Sequence, residues 1–259
     1  MEPLYTSPGK SENVKKLVLQ EEEKHFLEGP GSRLKELKFT LRMLTEFIRG
    51  FRVFHFAGPC IAIFGSARVK PESEYYEMAR QMGAGIAGIG FSVMTGGGPG
   101  IMEAANRGAR EANGKSVGCN IQLPAEQQPN QWMDRHFDCH YLFVRKVLMF
   151  KYSYGFVIMP GGIGTLDEFS EALTLIQTHK ILNFPIVLMS KGYWEPLMPL
   201  FHKMIDSYML EPDIMKYILL TDSVTEALEH LQQFVVTKYR LMQHKELRPI
   251  ALLGESAPQ

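Results

Sequence analysis

Short apolar runs that end in glycine, each followed by a helix-length segment, constrain this chain more than any other feature. Cys60-Ile61-Ala62-Ile63-Phe64 runs into Gly65-Ser66, and Phe91-Ser92-Val93-Met94-Thr95 runs into Gly96-Gly97-Gly98-Pro99-Gly100. Phe156-Val157-Ile158-Met159 runs in the same way into Pro160-Gly161-Gly162-Ile163-Gly164. An apolar run with little or no polar alternation is what a strand covered on both faces requires. Further apolar runs stand at 116–121, 141–143 and 185–189, and helices are predicted over 75–86, 101–111, 145–152, 165–177, 194–209 and 221–239. Strands alternating with helices predict an α/β fold, a doubly wound and mostly parallel sheet flanked by helices. Ligands bind such sheets beyond the carboxyl ends of the strands. The functional question narrows to three turns, at Gly65-Ser66, Gly96–Gly100 and Gly161–Gly164.

Outside this body, residues 1–13 read as a loose polar arm, and VKKLVLQEEEKHFLEG reads as a helix ending near Gly29. Ser32 is a natural N-cap for a second helix, in which Leu34, Leu37, Leu41, Leu44, Ile48 and Phe51 recur at spacings of three and four. Packing of that stripe on its own domain is favoured over a coiled coil, because so few heptads are present. The expected division is an N-terminal arm and helices over 1–56, an α/β domain carrying the three turns over 57–240, and a tail over 241–259.

Charge and cysteine usage exclude several classes. The 28 Lys+Arg residues balance 28 Asp+Glu, so the basic field from which nucleic-acid binding starts is missing. Three cysteines far apart imply no disulfide framework. The polar start MEPLYTSPGKSENVKK has no apolar signal-peptide region, and no apolar run is long enough to cross a bilayer. A cytoplasmic protein with neither nucleic acid nor membrane as partner is expected.

The chemistry lies in the turns. In VMTGGGPGIMEAANRG four glycines in five residues open a helix, letting the backbone fold tightly and present N–H groups to an anion. No Gly-Lys-Ser/Thr follows, which sets aside a P-loop, and the first turn lacks G-x-G-x-x-G. In FVIMPGGIGTLDEF, Gly161, Gly162 and Gly164 precede Thr165, read as an N-cap whose hydroxyl reaches a phosphate, with Asp167 and Glu168 placed in the first helical turn. Carboxylates there suit the helix dipole. Glu168 can equally face a neutral part of a ligand held by the glycine loop. Arg145-Lys146 lies on the helix just before this turn, with Met149 one turn on. His136, Cys139 and His140 are close in sequence but lack the second half of a zinc motif, so no metal site is expected.

GGGPGIMEAANRGA and PGGIGTLDE, with the Arg-Lys pair upstream, resemble the LOG (Lonely Guy) family of phosphoribohydrolases. The resemblance spans about residues 61–231, and VGCNIQLPAEQQPN and LTLIQTHK are similar to its longer bacterial members. It implies a Rossmann-like domain that releases a free base and ribose 5-phosphate from a nucleoside 5′-monophosphate, either a cytokinin riboside 5′-monophosphate or AMP. It also implies a homo-oligomer and no cofactor. Position by position, Arg145 and Glu168 match the catalytic pair. Gly161, Gly162, Gly164 and Thr165 match the phosphate-binding turn, and Lys146 and Thr174 match residues near the substrate. Gly97 and Gly98 are expected on the opposite wall. Val144 stands where plant-like members often have a polar residue, and the loop after Leu123 also differs. Members are often labelled lysine decarboxylase, yet nothing here marks a Schiff-base lysine and its pyridinium partner. The rival expectation is a nucleotide sensor or carrier that holds its ligand without cleaving it.

Overall fold

The computed structural model describes Gly29 and residues 31–122 and 128–240. The predicted arm, the first helix up to Glu28, the start of the loop after Gln122 and the tail beyond Arg240 lie outside the described residues. Strands β1 (Cys60–Phe64), β2 (Ser92–Thr95), β3 (Ser116–Ile121), β4 (Arg135–Cys139), β5 (Ser153–Ile158), β6 (Ile186–Met189) and β7 (Ile218–Thr221) form one sheet. Its order is β4-β3-β2-β1-β5-β6-β7, and every neighbouring pair is parallel.

Side chains of successive strand residues point to opposite faces, and this divides the interior into two cores. Cys60, Ala62 and Phe64 of β1, Phe156 and Ile158 of β5, and Ile186 and Leu188 of β6 enter one core. Ile61 and Ile63, Val157, and Val187 and Met189 enter the other. The first core is covered by α4 (Leu142–Tyr152), α5 (Ile163–Gln177), α7 (Met198–Asp206) and the C-terminal end of α1 (Arg33–Phe54). The second is covered by α2 (Glu74–Gly88), α3 (Ile101–Glu111) and α8 (Val224–Arg240). A short helix α6 (Lys191–Trp194) follows β6.

The doubly wound parallel sheet is as the apolar runs predict, with four local differences. Tyr141-Leu142-Phe143 is not a strand: Leu142 and Phe143 open α4, and the strand before them is the polar Arg135–Cys139. As an edge strand β4 is mostly exposed, so it shows no apolar run. The opposite edge, β7, escapes sequence reading for a related reason, since three of its four residues are only partly buried. The stretch 194–209 is broken into a short helix, a 3₁₀ turn and α7, with Pro196 and Pro199 at the breaks. In α1, Ser32 does cap the helix by accepting from the Lys35 N–H, but the helix meets the domain through Phe39, edge-on to Tyr141, and through its C-terminal end rather than through its leucines. Leu34, Leu37, Leu41, Leu44 and Ile48 stay 44–63% exposed.

Helices α2 and α3 approach so closely that glycine is the only side chain that fits. A Cβ at Gly83 would meet the Ala105 carbonyl, and one at Gly108 would meet the Arg80 carbonyl. This contact fixes α3, and with it the glycine turn that precedes α3. Backbone cannot yield as a flexible side chain does, so Gly108→Ala is expected to destabilise by about 2–3 kcal/mol, the upper part of the overpacking range. Gly88→Ala, where nothing lies within 4 Å of the added atom, should be neutral. Urea unfolding of both variants checks the pair.

Candidate active site

The strand order reverses between β1 and β5, because the chain winds outward from β1 to β4 and then returns to build β5 to β7 on the other side. At such a reversal the turns that follow the two central strands diverge and leave a crevice. Three backbone bonds tie the turns together there. Met159 donates to the Phe64 carbonyl (2.8 Å), Ser66 to the Pro160 carbonyl (3.0 Å) and Ile101 to the Ser66 carbonyl (3.1 Å). Ser66 therefore joins the turn after β5 to the turn after β2.

The turn after β5 leads directly into α5, whose N-cap is Gly162. Thr165 is thus not the cap but the third helical residue, and it is buried. Its side chain fills the place that a Cβ on Gly161 would take, so Gly161 serves packing. Gly162 and Gly164 are different: nothing lies within 4 Å of a Cβ added to either. The N–H groups of Gly162, Ile163 and Gly164 find no acceptor among the described residues, while Thr165 and Leu166 donate back to the Gly162 carbonyl. An open helix start with unpaired donors and the positive end of the dipole is the physical form of an anion site.

Asp167 and Glu168 lie in the second turn of α5, not the first, and they point different ways. Asp167 and Glu171 together hold the Lys146 ammonium, at 2.6 and 3.0 Å. Burial lowers the Lys146 pKa, but the two carboxylates more than offset it and the net shift is upward. Lys146 thus locks α4 to α5, with its ammonium engaged by two acids. Glu168 points inward and is 4% exposed, and its Oε2 has no hydrogen-bond partner among the described residues. Burial pushes its carboxyl up to about 7, against the pull of the nearby Arg145 and Lys146 cations.

Arg145 lies between β3 and the Gly96–Gly100 turn, near Glu168. Its Nε donates to the Cys119 carbonyl at the end of β3 (2.9 Å). Its Nη2 lies against Gly96, where any side chain would strike it. The remaining guanidinium N–H groups have no acceptor among the described residues. The wall opposite α5 is the Gly96–Gly100 turn. Gly97 (φ 73°) and Gly100 (φ 68°) adopt the left-handed backbone that glycine alone takes freely. A Cβ on Gly97 would also run into the Asn120 side chain. The Gly97 N–H donates to the Thr95 hydroxyl (2.9 Å).

The structure thus brings Arg145, Glu168, Gly97, Gly98, Gly161, Gly162, Gly164 and Thr165 to one crevice, with Lys146 just behind it. Thr174 is not with them. It lies nine residues beyond Thr165, roughly 13 Å along the helix, is exposed, and donates to the Ser170 carbonyl (2.9 Å). Met149 is fully buried in the core. Cys139 turns inward against Cys119 (Sγ–Sγ 3.8 Å), while His136 is exposed and 3.9 Å from Asp138, so the His136-Cys139-His140 group does not converge. Sequence reading missed the polar residues beneath the second turn, Thr95, Asn106 and Asn130. Asn106 stands inside the motif EAANRG and carried the one available signal, a buried-face position occupied by an amide.

A family model described as "Possible lysine decarboxylase" matches residues 102–231. A cytokinin riboside 5′-monophosphate phosphoribohydrolase of Mycobacterium tuberculosis is 31% identical over 164 residues, covering 60% of this chain and 84% of that protein. A probable enzyme of the same name from Oryza sativa subsp. japonica is 26% identical, covering 68% of this chain and 72% of its own. Among solved structures, the molybdenum cofactor carrier protein of Chlamydomonas reinhardtii superposes with a TM-score of 0.53 at 23% identity, over 69% of this chain and 99% of that one. The molybdenum cofactor binding protein of Rippkaea orientalis gives 0.52 at 22%, over 70% and 99%. These two likenesses show the shared fold alone. A family match across half of the sequence, together with a relative covered over most of its length, places the protein: the chain belongs to the LOG family.

Proposed function

We propose that this protein hydrolyses the N-glycosidic bond of a purine nucleoside 5′-monophosphate, AMP or its N6-modified cytokinin form, to free base and ribose 5-phosphate. One observation carries the reading: a buried carboxyl, without a hydrogen-bond partner among the described residues and pushed up to about 7, sits one helical turn below an open helix start suited to an anion. The phosphate binds the N–H groups of Gly162, Ile163 and Gly164, and that remote binding holds the ribose C1′ in place. As the C1′–N bond breaks, its electron pair passes to the base and positive charge gathers on C1′ and O4′. The Glu168 carboxylate stabilises that charge and takes a proton from the water whose oxygen bonds to C1′. The base takes up a proton from solvent. The Arg145 guanidinium meets the negative charge of the phosphate or of the departing base.

The family model's decarboxylase description fits this chain poorly. A Schiff-base lysine needs a lowered pKa, whereas Lys146 has a raised one and is held by two acids. A non-catalytic carrier or sensor is the second reading, favoured only by the fold likeness to cofactor carriers. We also propose a homo-oligomer. Leu142, Phe143 and Val147 on α4 are 39–49% exposed and Ile163 is 81% exposed, an apolar surface that a second copy would cover. Size-exclusion with light scattering should give at least a dimer.

Chromatography of AMP and isopentenyl-AMP incubated with the protein tests the reaction, and nucleotide binding without released base would support the carrier. Glu168→Gln should lower kcat by about 10²–10³-fold, the worth of a charge-stabilising group, with nucleotide binding retained. Wild-type kcat/KM should climb with pH to a midpoint near 7, since the ionised form is the active one; a falling limb there would make Glu168 an acid instead.

Stability should move in the opposite sense. A pKa of 4.5 unfolded and about 7 folded means that folding favours protonated Glu168. Its contribution is full below pH 4.5 and is lost as pH rises through 7, about 3 kcal/mol in all. Glu168→Gln should therefore match wild type near pH 4.5 and exceed it in urea unfolding at pH 8.

Gly162→Ala and Gly164→Ala have room to fold. They should keep the wild-type melting temperature within about 2 °C while raising KM about tenfold, as expected when uniform binding is lost. Thermal melts and steady-state kinetics check both.

A further inference from the structure

The segment VGCNIQLPAEQQPN carries part of the resemblance, yet its last residue has no role in the scheme above. Asn130 begins a strap that crosses the Gly96–Gly100 turn on the side of β3 and β4. Its backbone N–H donates to the Gly97 carbonyl (2.9 Å). Its side-chain Nδ2 lies 3.1 Å from the Gly97 carbonyl, 3.1 Å from the Gly98 carbonyl and 3.0 Å from Asn106 Oδ1. The amide cannot be reversed, because Oδ1 accepts the Trp132 N–H (3.1 Å) in an Asx turn and the carbonyls of the glycine turn need donors.

Asn106 is itself fixed. Its Oδ1 accepts from the Thr95 hydroxyl (2.6 Å) and its Nδ2 donates to Ser116 (2.7 Å). Beyond Asn130 the strap is pinned by Asp134, whose N–H donates to the Ser116 carbonyl and whose carboxylate accepts the Ser116 N–H, each at 2.8 Å. Asp134 also pairs with Arg110, and the Arg107 guanidinium covers the Trp132 ring at 5.5 Å.

A trans peptide points its carbonyl and the following N–H in opposite directions. With the Gly97 carbonyl drawn to Asn130, the Gly98 N–H points away from the strap, and it has no acceptor among the described residues. The Gly98 carbonyl is drawn the same way, and Pro99 brings no N–H of its own. Released from the Asn130 side chain, the Gly98 carbonyl would be free to rotate into the crevice and the Gly97 carbonyl would be held by the backbone N–H alone; turned inward, these oxygens repel an anionic substrate. We infer that Asn130 is a positioning residue: it turns the Gly97 and Gly98 carbonyls away from the crevice, so that the nucleotide meets a backbone donor on this wall. The inference rests on the hydrolase reading for the identity of the nucleotide, but not for the geometry of the turn.

Asn130→Asp keeps the shape and the backbone N–H bond to the Gly97 carbonyl, and removes the side-chain donors to the Gly97 and Gly98 carbonyls. It should raise both KM for AMP and the inhibition constant of ribose 5-phosphate about tenfold or more, with kcat changed less than about threefold. Asn130→Ala, which removes the side-chain donors without adding repulsion, should do the same to a smaller degree. Arg107→Ala loosens the strap but leaves the Asn130 amide. It should lower the melting temperature and leave KM unmoved. Folded Asn130 variants with KM and inhibition constant within twofold of wild type would overturn the inference, as would Arg107→Ala raising KM as far as Asn130→Asp does. If wild type releases no base from any nucleotide, the hydrolase reading fails alone. Calorimetric affinities of wild type and Asn130→Asp for ribose 5-phosphate then decide the positioning role, and a wild type that binds neither AMP nor ribose 5-phosphate overturns both.

Discussion

Glu168 occupies a place where water is nearly excluded and one of its oxygens has no partner among the described residues, and the residues around it are arranged in response. Burial alone would keep such a carboxyl neutral. Arg145 and Lys146 act in the other direction, and the balance settles near neutrality. That balance depends on where the two cations are held. Arg145 is anchored by the Cys119 carbonyl, and so by the sheet itself. Lys146 is anchored by Asp167 and Glu171 on the same helix as Glu168. These two acids would otherwise stand uncompensated beside the open helix start, so the Lys146 clamp also neutralises charge next to its unpaired N–H groups.

Most of the fold was legible in the sequence because the central strands are buried on both faces, and burial leaves a composition signal. β1, β2, β5 and β6 are runs of this kind. The two edge strands were not legible, for the converse reason: Arg135–Cys139 is polar and Ile218–Thr221 is short and half-buried. The glycine turns were legible through spacing, and Arg145 and Glu168 were paired through the resemblance. Their division of labour was not. Only coordinates show that Gly161 is required by Thr165 and Gly97 by Asn120, whereas Gly162 and Gly164 face open space. The direction of Lys146 was hidden as well, since sequence spacing on α4 says nothing of the acids presented by α5. Thr174 was placed by resemblance, and in a single chain it lies away from the crevice.

The fold itself is neutral about chemistry. The same sheet superposes on cofactor carriers, and the family model bears a decarboxylase description. Discrimination comes from the groups at the turns. A carrier has no use for a buried acid poised between its two ionic forms. A pyridoxal enzyme has no use for a lysine whose charge is reinforced.

The strand order also bears on how the chain is assembled during synthesis. β1 is the inner strand of the first half, and its far edge pairs with β5, Cys60 opposite Ser153. With translation at roughly 5–20 residues per second, that edge waits on the order of 5–20 s for its neighbour to leave the ribosome. Throughout that interval an apolar ribbon, Cys60–Phe64, offers unpaired backbone to any other nascent strand. Growth at higher temperature or from strong promoters would then deposit the protein in inclusion bodies by way of this edge.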